Sequence, residues 1–143
     1  MQRTKPPYRA DQVGSFLRSD ALKQARAKRD KGEITPAQLK AVEDEEIRKV
    51  IRKQEDVGMK LATDGEFRRT FWHFDFLGGM QGIDLYDHTQ GIQFQGAQTK
   101  AWDIRVAGKI EFPDDHPFRE HFRFLKANTR VVPKMTIPSP TAR

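Results

Sequence analysis

Residues 59–66 read Met59-Lys60-Leu61-Ala62-Thr63-Asp64-Gly65-Glu66, a short strand-like run that breaks into an acidic turn. Asp-Gly is ordinary turn composition, and the stretch gains meaning from its counterpart upstream, where Tyr8 to Val13 leads into Gly14-Ser15. Helical sequence separates the two. The order strand, helices, strand within one sheet requires a parallel pair with a right-handed crossover. Turns that follow parallel strands share one edge of the sheet. Gly14, Ser15, Asp64, Gly65 and Glu66 are therefore expected together at the C-terminal ends of neighbouring strands, the face on which barrels and open α/β sheets carry their chemistry.

Between these strands, Ser19 or Asp20 caps a first helix over roughly 20 to 31, with a thin apolar stripe at Ala21, Leu22 and Ala25 and a stop at Gly32. The second helix is better marked. Thr35 is its N-cap, Pro36 suits the first helical position, and Gln38 completes a capping box. It runs through Leu39, Val42, Ile47, Val50, Ile51 and Val57 to Gly58. Glu43, Asp44 and Glu45, followed by Arg48, Lys49, Arg52 and Lys53, are expected as ion pairs on its outer face.

Beyond residue 77 the pattern changes. Gly78 to Lys100 is loop or hairpin sequence, and Trp102 to Phe112 alternates cleanly between apolar and polar residues. The expected partner of that strand is Ile92 to Gln98, giving a hairpin excursion over residues 80–112. Asp115 or His116 before Pro117 begins a further helix, with Phe118, Phe122 and Leu125 facing inward and a stop near Asn128. Val131 to Ile137 is the third main strand, and Pro138-Ser139-Pro140 turns off it. Three parallel-type strands and a hairpin leave a sheet edge open, so the expectation is the N-terminal portion of a larger α/β architecture.

The chain has 143 residues, 36% of them apolar and 32% charged, enough for one compact domain and too apolar for disorder. It has no apolar run near the roughly 20 residues of a membrane span, and Met1 to Arg9 lacks the apolar core of a signal peptide, so a soluble, cytoplasmic protein is expected. The absence of cysteine excludes a disulfide framework, a thiol nucleophile and thiolate metal ligation within this chain. The net charge of +6 resides in residues 1–31, which hold nine Lys or Arg against three Asp. A solvated helix face explains that segment, and nucleic-acid binding ranks last because no recognised motif accompanies the charge.

Four blocks occur in order along the chain: Val13-Gly14-Ser15-Phe16; Asp64-Gly65-Glu66-Phe67-Arg68-Arg69; Phe71-Trp72-His73-Phe74-Asp75-Phe76-Leu77-Gly78-Gly79; and Lys134-Met135-Thr136-Ile137-Pro138-Ser139-Pro140-Thr141. With them the sequence resembles the cobalamin-independent methionine synthase family, and more closely its short single-barrel bacterial members. The resemblance implies an α/β fold, namely the first three β/α units of a TIM (β/α)8 barrel with an inserted β-hairpin. It also implies methyl transfer to homocysteine from a donor such as methyltetrahydrofolate, as a step of methionine biosynthesis.

By the same resemblance, Val13, Gly14 and Ser15 bind the carboxylate of homocysteine or methionine, and Glu66 binds the ammonium group. These types suit their roles, because glycine lets backbone N–H groups approach an anion, serine adds a donor and a carboxylate suits an ammonium. The family's zinc ligands, a His, two Cys and a Glu, belong to the later half of the barrel. No catalytic or metal-binding residue and no cofactor is therefore assigned here, zinc is expected only in the full-length family, and the chain alone is expected to be inactive. Two alternatives are a non-enzymatic fragment or subunit that pairs with a separately encoded remainder of the barrel, and a zinc-dependent alkyl transferase acting on another thiol.

The other candidate residues carry plainer readings. Asp64 supports its turn. Arg68 and Arg69 are expected to be solvated or salt-bridged rather than bound to an anionic donor. His73 is expected to be packed and hydrogen-bonded within its aromatic run, and His88, His116 and His121 lack the neighbours of a metal site. Trp102 packs in the hairpin, and Ser139 borders the donor pocket or only a stiffened turn.

Overall fold

The computed structural model describes residues 4–87, 93–94, 97–98 and 102–139. The chain divides into two compact units, residues 1–68 with 121–136 and residues 69–120 with 137–143. Among the described residues no helix is long and apolar enough to cross a membrane.

In the first unit, α1 (Asp20–Asp30) begins at Ser19, whose hydroxyl accepts from the Leu22 amide at 3.2 Å. The longer α2 (Pro36–Asp56) opens with the expected capping box: Thr35 accepts from the Gln38 amide, and the Gln38 side chain accepts from the Thr35 amide at 2.8 Å. The core of this unit gathers Leu22, Ile47, Val50, Ile51, Ala62, Phe67 and Leu125. Strand β1 (Leu61–Ala62) pairs in parallel with β6 (Val132–Pro133), in the register Leu61 to Val132 and Ala62 to Pro133. Leu125 and Phe122 lie on α4 (Pro117–Asn128), the helix expected to start at Pro117.

Three expectations are corrected in this unit. Tyr8–Val13 is not a strand. The backbone of Gln12 bonds to side chains instead of a ladder: its amide donates to Asp11 Oδ1 at 2.7 Å, and its carbonyl accepts from Lys134 Nζ at 2.5 Å. The second correction is the length of the strands that do form. Gln54, only 3% exposed, accepts from the Thr63 amide and donates to the Thr63 carbonyl, both at 2.9 Å, so one side chain takes the two groups that would extend β1. Likewise β6 is shorter than the expected Val131–Ile137 strand, and Pro133 has no N–H to give a ladder.

Third, Glu43 is buried rather than on the outer face of α2, and Glu46 beside it on the helix is buried as well. Arg26 and Arg68 approach Glu43 to 3.7 and 3.4 Å, while Lys49 meets Glu46 at 2.7 Å. Burial pushes the Glu43 carboxyl above its ordinary value, against the pull of both arginines.

In the second unit, the aromatic run contains one helical turn, α3 (Phe74–Leu77), whose approach is fixed by Asp75 accepting from the Thr70 and Phe71 amides. An antiparallel ribbon joins β2 (Gln81–Asp87) to β5 (Trp102–Glu111), from Asp87 opposite Trp102 to Gln81 opposite Glu111. The partner of β5 is therefore β2, and not Ile92 to Gln98. Within that stretch β3 (Gln93–Phe94) pairs with β4 (Ala97–Gln98), and Ile92 lies outside the described residues. The alternating pattern fixed β5 itself, but period alone does not choose between two polar, glycine-broken partners.

Candidate functional site

The Thr63–Phe67 turn follows β1 and is fixed from within. The Thr63 hydroxyl accepts from the Gly65 amide at 3.1 Å and donates to the Gly14 carbonyl at 2.8 Å. Asp64 Oδ1 accepts from the Glu66 amide at 2.9 Å, so Asp64 supports the turn as its composition suggests. Gly65 and Glu66 both lie in the left-handed region, at φ 69° and 57°. For glutamate that conformation costs about 1–2 kcal/mol, and the surrounding bonds must hold it.

The held turn aims Glu66 inward. Glu66 is 7% exposed, and its Oε1 accepts from the Thr136 hydroxyl at 2.6 Å. Gly14, at φ 150°, faces the same two side chains: a Cβ there would lie 2.9 Å from Thr136 Cγ2 and Oγ1 and 3.1 Å from Glu66 Oε1. The amide of Phe16 donates to the Gly65 carbonyl at 3.1 Å. Three segments thus meet at Gly14, Glu66 and Thr136, two of them immediately after the parallel strands β1 and β6. The three segments meet although the one that carries Gly14 does not follow a strand.

The candidate residues fall on this meeting point unequally. Gly14 touches Glu66 and is buried, and Ser15 is exposed between two residues, Gly14 and Phe16, that both contact the Thr63–Phe67 turn. Val13 is 83% exposed, so its side chain takes no part in this cluster. Thr136 was not singled out from the sequence, although it lies in the Lys134–Thr141 block at the end of the third expected strand. Lys134 Nζ, from the same segment, bonds Asp11 Oδ1 at 2.8 Å and holds that carboxyl below its ordinary value.

Elsewhere, Arg68 is half-buried and salt-bridged, one of the two states expected of it, and Arg69 is buried. Arg68 pairs with Asp44 at 2.5 Å and lies 4.9 Å from the Phe124 ring centroid; in the second unit, Arg69 lies 4.5 Å from that of Phe118. His73 packs against Trp72 and Phe74 as expected, but its Nδ1 has no hydrogen-bond partner among the described residues. Burial draws its pKa down, partly offset by Asp75. His116 is a core residue: Nδ1 accepts from the Phe118 amide at 3.1 Å, which leaves Nε2–H to donate to the Phe76 carbonyl at 2.9 Å. His121 is half-buried, Ser139 is exposed, and His88 lies outside the described residues.

The metal implied by the family resemblance finds no fit here. Among the described residues no three His, Asp or Glu side chains come together as a possible metal site, and the chain has no cysteine.

The family model described as cobalamin-independent synthase, catalytic domain, matches residues 9–118. The chain is 50% identical over 141 residues to the "Uncharacterized protein YxjG" of Bacillus subtilis, covering 98% of this chain and 37% of that one. It is 31% identical over 140 residues to a 5-methyltetrahydropteroyltriglutamate--homocysteine methyltransferase of Thermosynechococcus vestitus, covering 98% of this chain and 18% of that protein. A solved structure named "Putative Vitamin-B12 Independent Methionine Synthase" from Listeria monocytogenes superposes with a TM-score of 0.75 at 42% identity, over 94% of this chain and 37% of that one. The chain thus spans little more than a third, or less, of the proteins it matches. With a catalytic-domain match over most of its residues and the same fold in a solved relative, this chain belongs to the cobalamin-independent methionine synthase family.

Proposed function

We propose that this chain supplies the amino-acid-binding rim of a homocysteine S-methyltransferase that works in methionine biosynthesis. The Glu66 carboxylate receives the substrate's ammonium, and the backbone of Val13-Gly14-Ser15, with the Ser15 hydroxyl, receives its carboxylate. Gripping both ends of the amino acid fixes where its sulfur lies, which is what in-line transfer of a methyl group demands. The observation that carries the reading is the meeting of Gly14, Glu66 and Thr136, which buries one carboxylate beside the loop that bears Ser15. In this reading the chain forms the first three β/α units of a barrel, with residues 80–112 as an excursion, and a methyltetrahydrofolate serves as donor.

Recognition at both ends of the amino acid is tested by calorimetric titration of the chain with L-methionine and two analogues, one lacking the amino group and one lacking the carboxylate. Methionine should bind and each analogue should lose about 1.5–3 kcal/mol, the worth of a charge-assisted bond. Equal binding of the analogue lacking the amino group would contradict the role of Glu66.

A second reading rests on the sheet itself. The β1–β6 pair has only two strands among the described residues, and Val132 is 39% exposed. Parallel sheets are covered on both faces and edges, so further strands, from the same longer polypeptide or a separate one, would complete it. Under this reading the chain acts only within that larger assembly.

A further inference from the structure

The three carbonyls of Gly65, Glu66 and Phe67 are each met by a donor from the segment that leads into α1 or from α1 itself. The Phe16 amide reaches Gly65 at 3.1 Å, Arg18 Nη2 reaches Glu66 at 2.9 Å, and Arg26 Nη2 reaches Phe67 at 2.6 Å. Glu66 is the one non-glycine residue with positive φ among the described residues. Strain of this kind persists only where the surroundings over-determine it.

We infer that Arg18 and Arg26 are positioning residues that clamp the backbone of the Glu66 turn in its left-handed conformation and so aim the Glu66 carboxylate into the amino-acid site. The inference rests on the amino-acid reading of Glu66 given above. A guanidinium is suited to this task, because its planar fork offers several donors in fixed directions and keeps its charge at every working pH. The two arginines do not act alike. Arg18 stands before α1 and bonds the carbonyl of the strained residue itself. Arg26, on α1, bonds the carbonyl one residue further along, that of Phe67, and its Nη2 is also 3.7 Å from Glu43 Oε1. That pairing ties the turn to α2, where Arg68 bridges Glu43 and Asp44.

The clamp also explains a feature of the site that the substrate contacts leave aside. The carboxylate's direction depends on backbone dihedrals that glutamate does not choose by itself. Thr136 fixes one carboxylate oxygen, which by itself leaves the backbone dihedrals of Glu66 unset. With the carbonyls pinned by Phe16, Arg18 and Arg26 and the amides of Gly65 and Glu66 pinned by Thr63 and Asp64, the turn has donors and acceptors fixed on both sides.

The test uses the full chain with Arg18→Ala, Arg26→Gln and Arg18→Lys, and reads amide hydrogen exchange without ligand and methionine affinity by calorimetry. Arg18→Ala should speed exchange at Gly65, Glu66 and Phe67 on the order of tenfold while leaving the Ile47 and Ile51 amides of α2 unchanged. Methionine affinity should fall by a similar factor, Arg18→Lys should recover part of both, and Arg18→Ala should add nothing in a Glu66→Gln background. If Arg26→Gln fails to fold, the Arg18 variants carry the test. Unchanged exchange at residues 65–67 in Arg18→Ala overturns the clamp. Faster exchange with unchanged methionine affinity, where Glu66→Gln does lose affinity, overturns its role at the site. Glu66→Gln binding as tightly as the unsubstituted chain would instead overturn the amino-acid reading, and the exchange data would still decide whether the clamp exists.

Discussion

The Thr136 hydroxyl donates to Glu66 Oε1 at 2.6 Å across 70 positions of sequence. It is the bond that connects the turn after β1 to the segment after β6. Thr136→Val keeps the side chain's shape and removes the donor. Methionine affinity, measured by calorimetry, should drop by about 0.5–1.5 kcal/mol, while the thermal midpoint changes little. An unchanged affinity would show that Glu66 needs no orientation from this side.

Gly14 leaves the space that Thr136 and Glu66 fill. In Gly14→Ala the new Cβ would begin 2.9 Å from Thr136 and must displace it, in a backbone region that disfavours a side chain at φ 150°. Urea unfolding should show a loss of about 1–3 kcal/mol, accompanied by loss of methionine binding. Full stability with full binding would mean that the three segments are not packed as described.

The buried carboxylate of Glu43 gives a pH dependence of definite sign. Burial raises its pKa above the ordinary 4.5, so its contribution to stability is complete below 4.5 and is lost as pH rises through the raised value. Asp44 and Glu46 act in the opposite sense. For Asp44 burial pushes upward but the bonds from Arg68 and Lys40 outweigh it, and for Glu46 the bond from Lys49 leads; both contribute above their ordinary values and lose that contribution in acid. The unfolding free energy of Glu43→Gln minus that of the unsubstituted chain should therefore increase as pH is raised from about 4.5. Urea titrations at a series of pH values read this difference, and a flat or falling one would contradict the burial effect.

His116 holds the second unit from its centre, capping the first turn of α4 through Nδ1 and bonding Phe76 through Nε2. His116→Ala removes both bonds and leaves a cavity beside Phe112 and Phe118. A loss of about 2–4 kcal/mol in unfolding free energy is expected. A loss below about 0.5 kcal/mol would place it with ordinary surface substitutions.

The legible parts of this molecule are those whose signals are local. Thr35, Pro36 and Gln38 mark the start of α2 because a capping box is a contact between neighbours, and Ser19 marks α1 in the same way. The closeness of Gly14 and Glu66 was expected from a strand order that holds only in part, because β1 and β6 pair in parallel but Tyr8–Val13 forms no strand. What was hidden depends on distant partners. Nothing near Glu43 announces that Arg26 and Arg68 will let it be buried, and nothing near Tyr8–Val13 shows that Lys134 will take the Gln12 carbonyl that a strand ladder would use. Thr136 and Arg18 escaped for the same reason, since each gains its role only when it meets the Glu66 turn.

The central claim is that Glu66 is the anionic partner of an amino-acid substrate. Calorimetric affinity of the chain for L-methionine, compared between the unsubstituted protein and Glu66→Gln, tests it most directly. Removing the charge while keeping the size and a hydrogen-bond acceptor should weaken binding by about 1.5–3 kcal/mol. Equal affinity in the two proteins would contradict the assignment and leave Glu66 as a strained turn residue only.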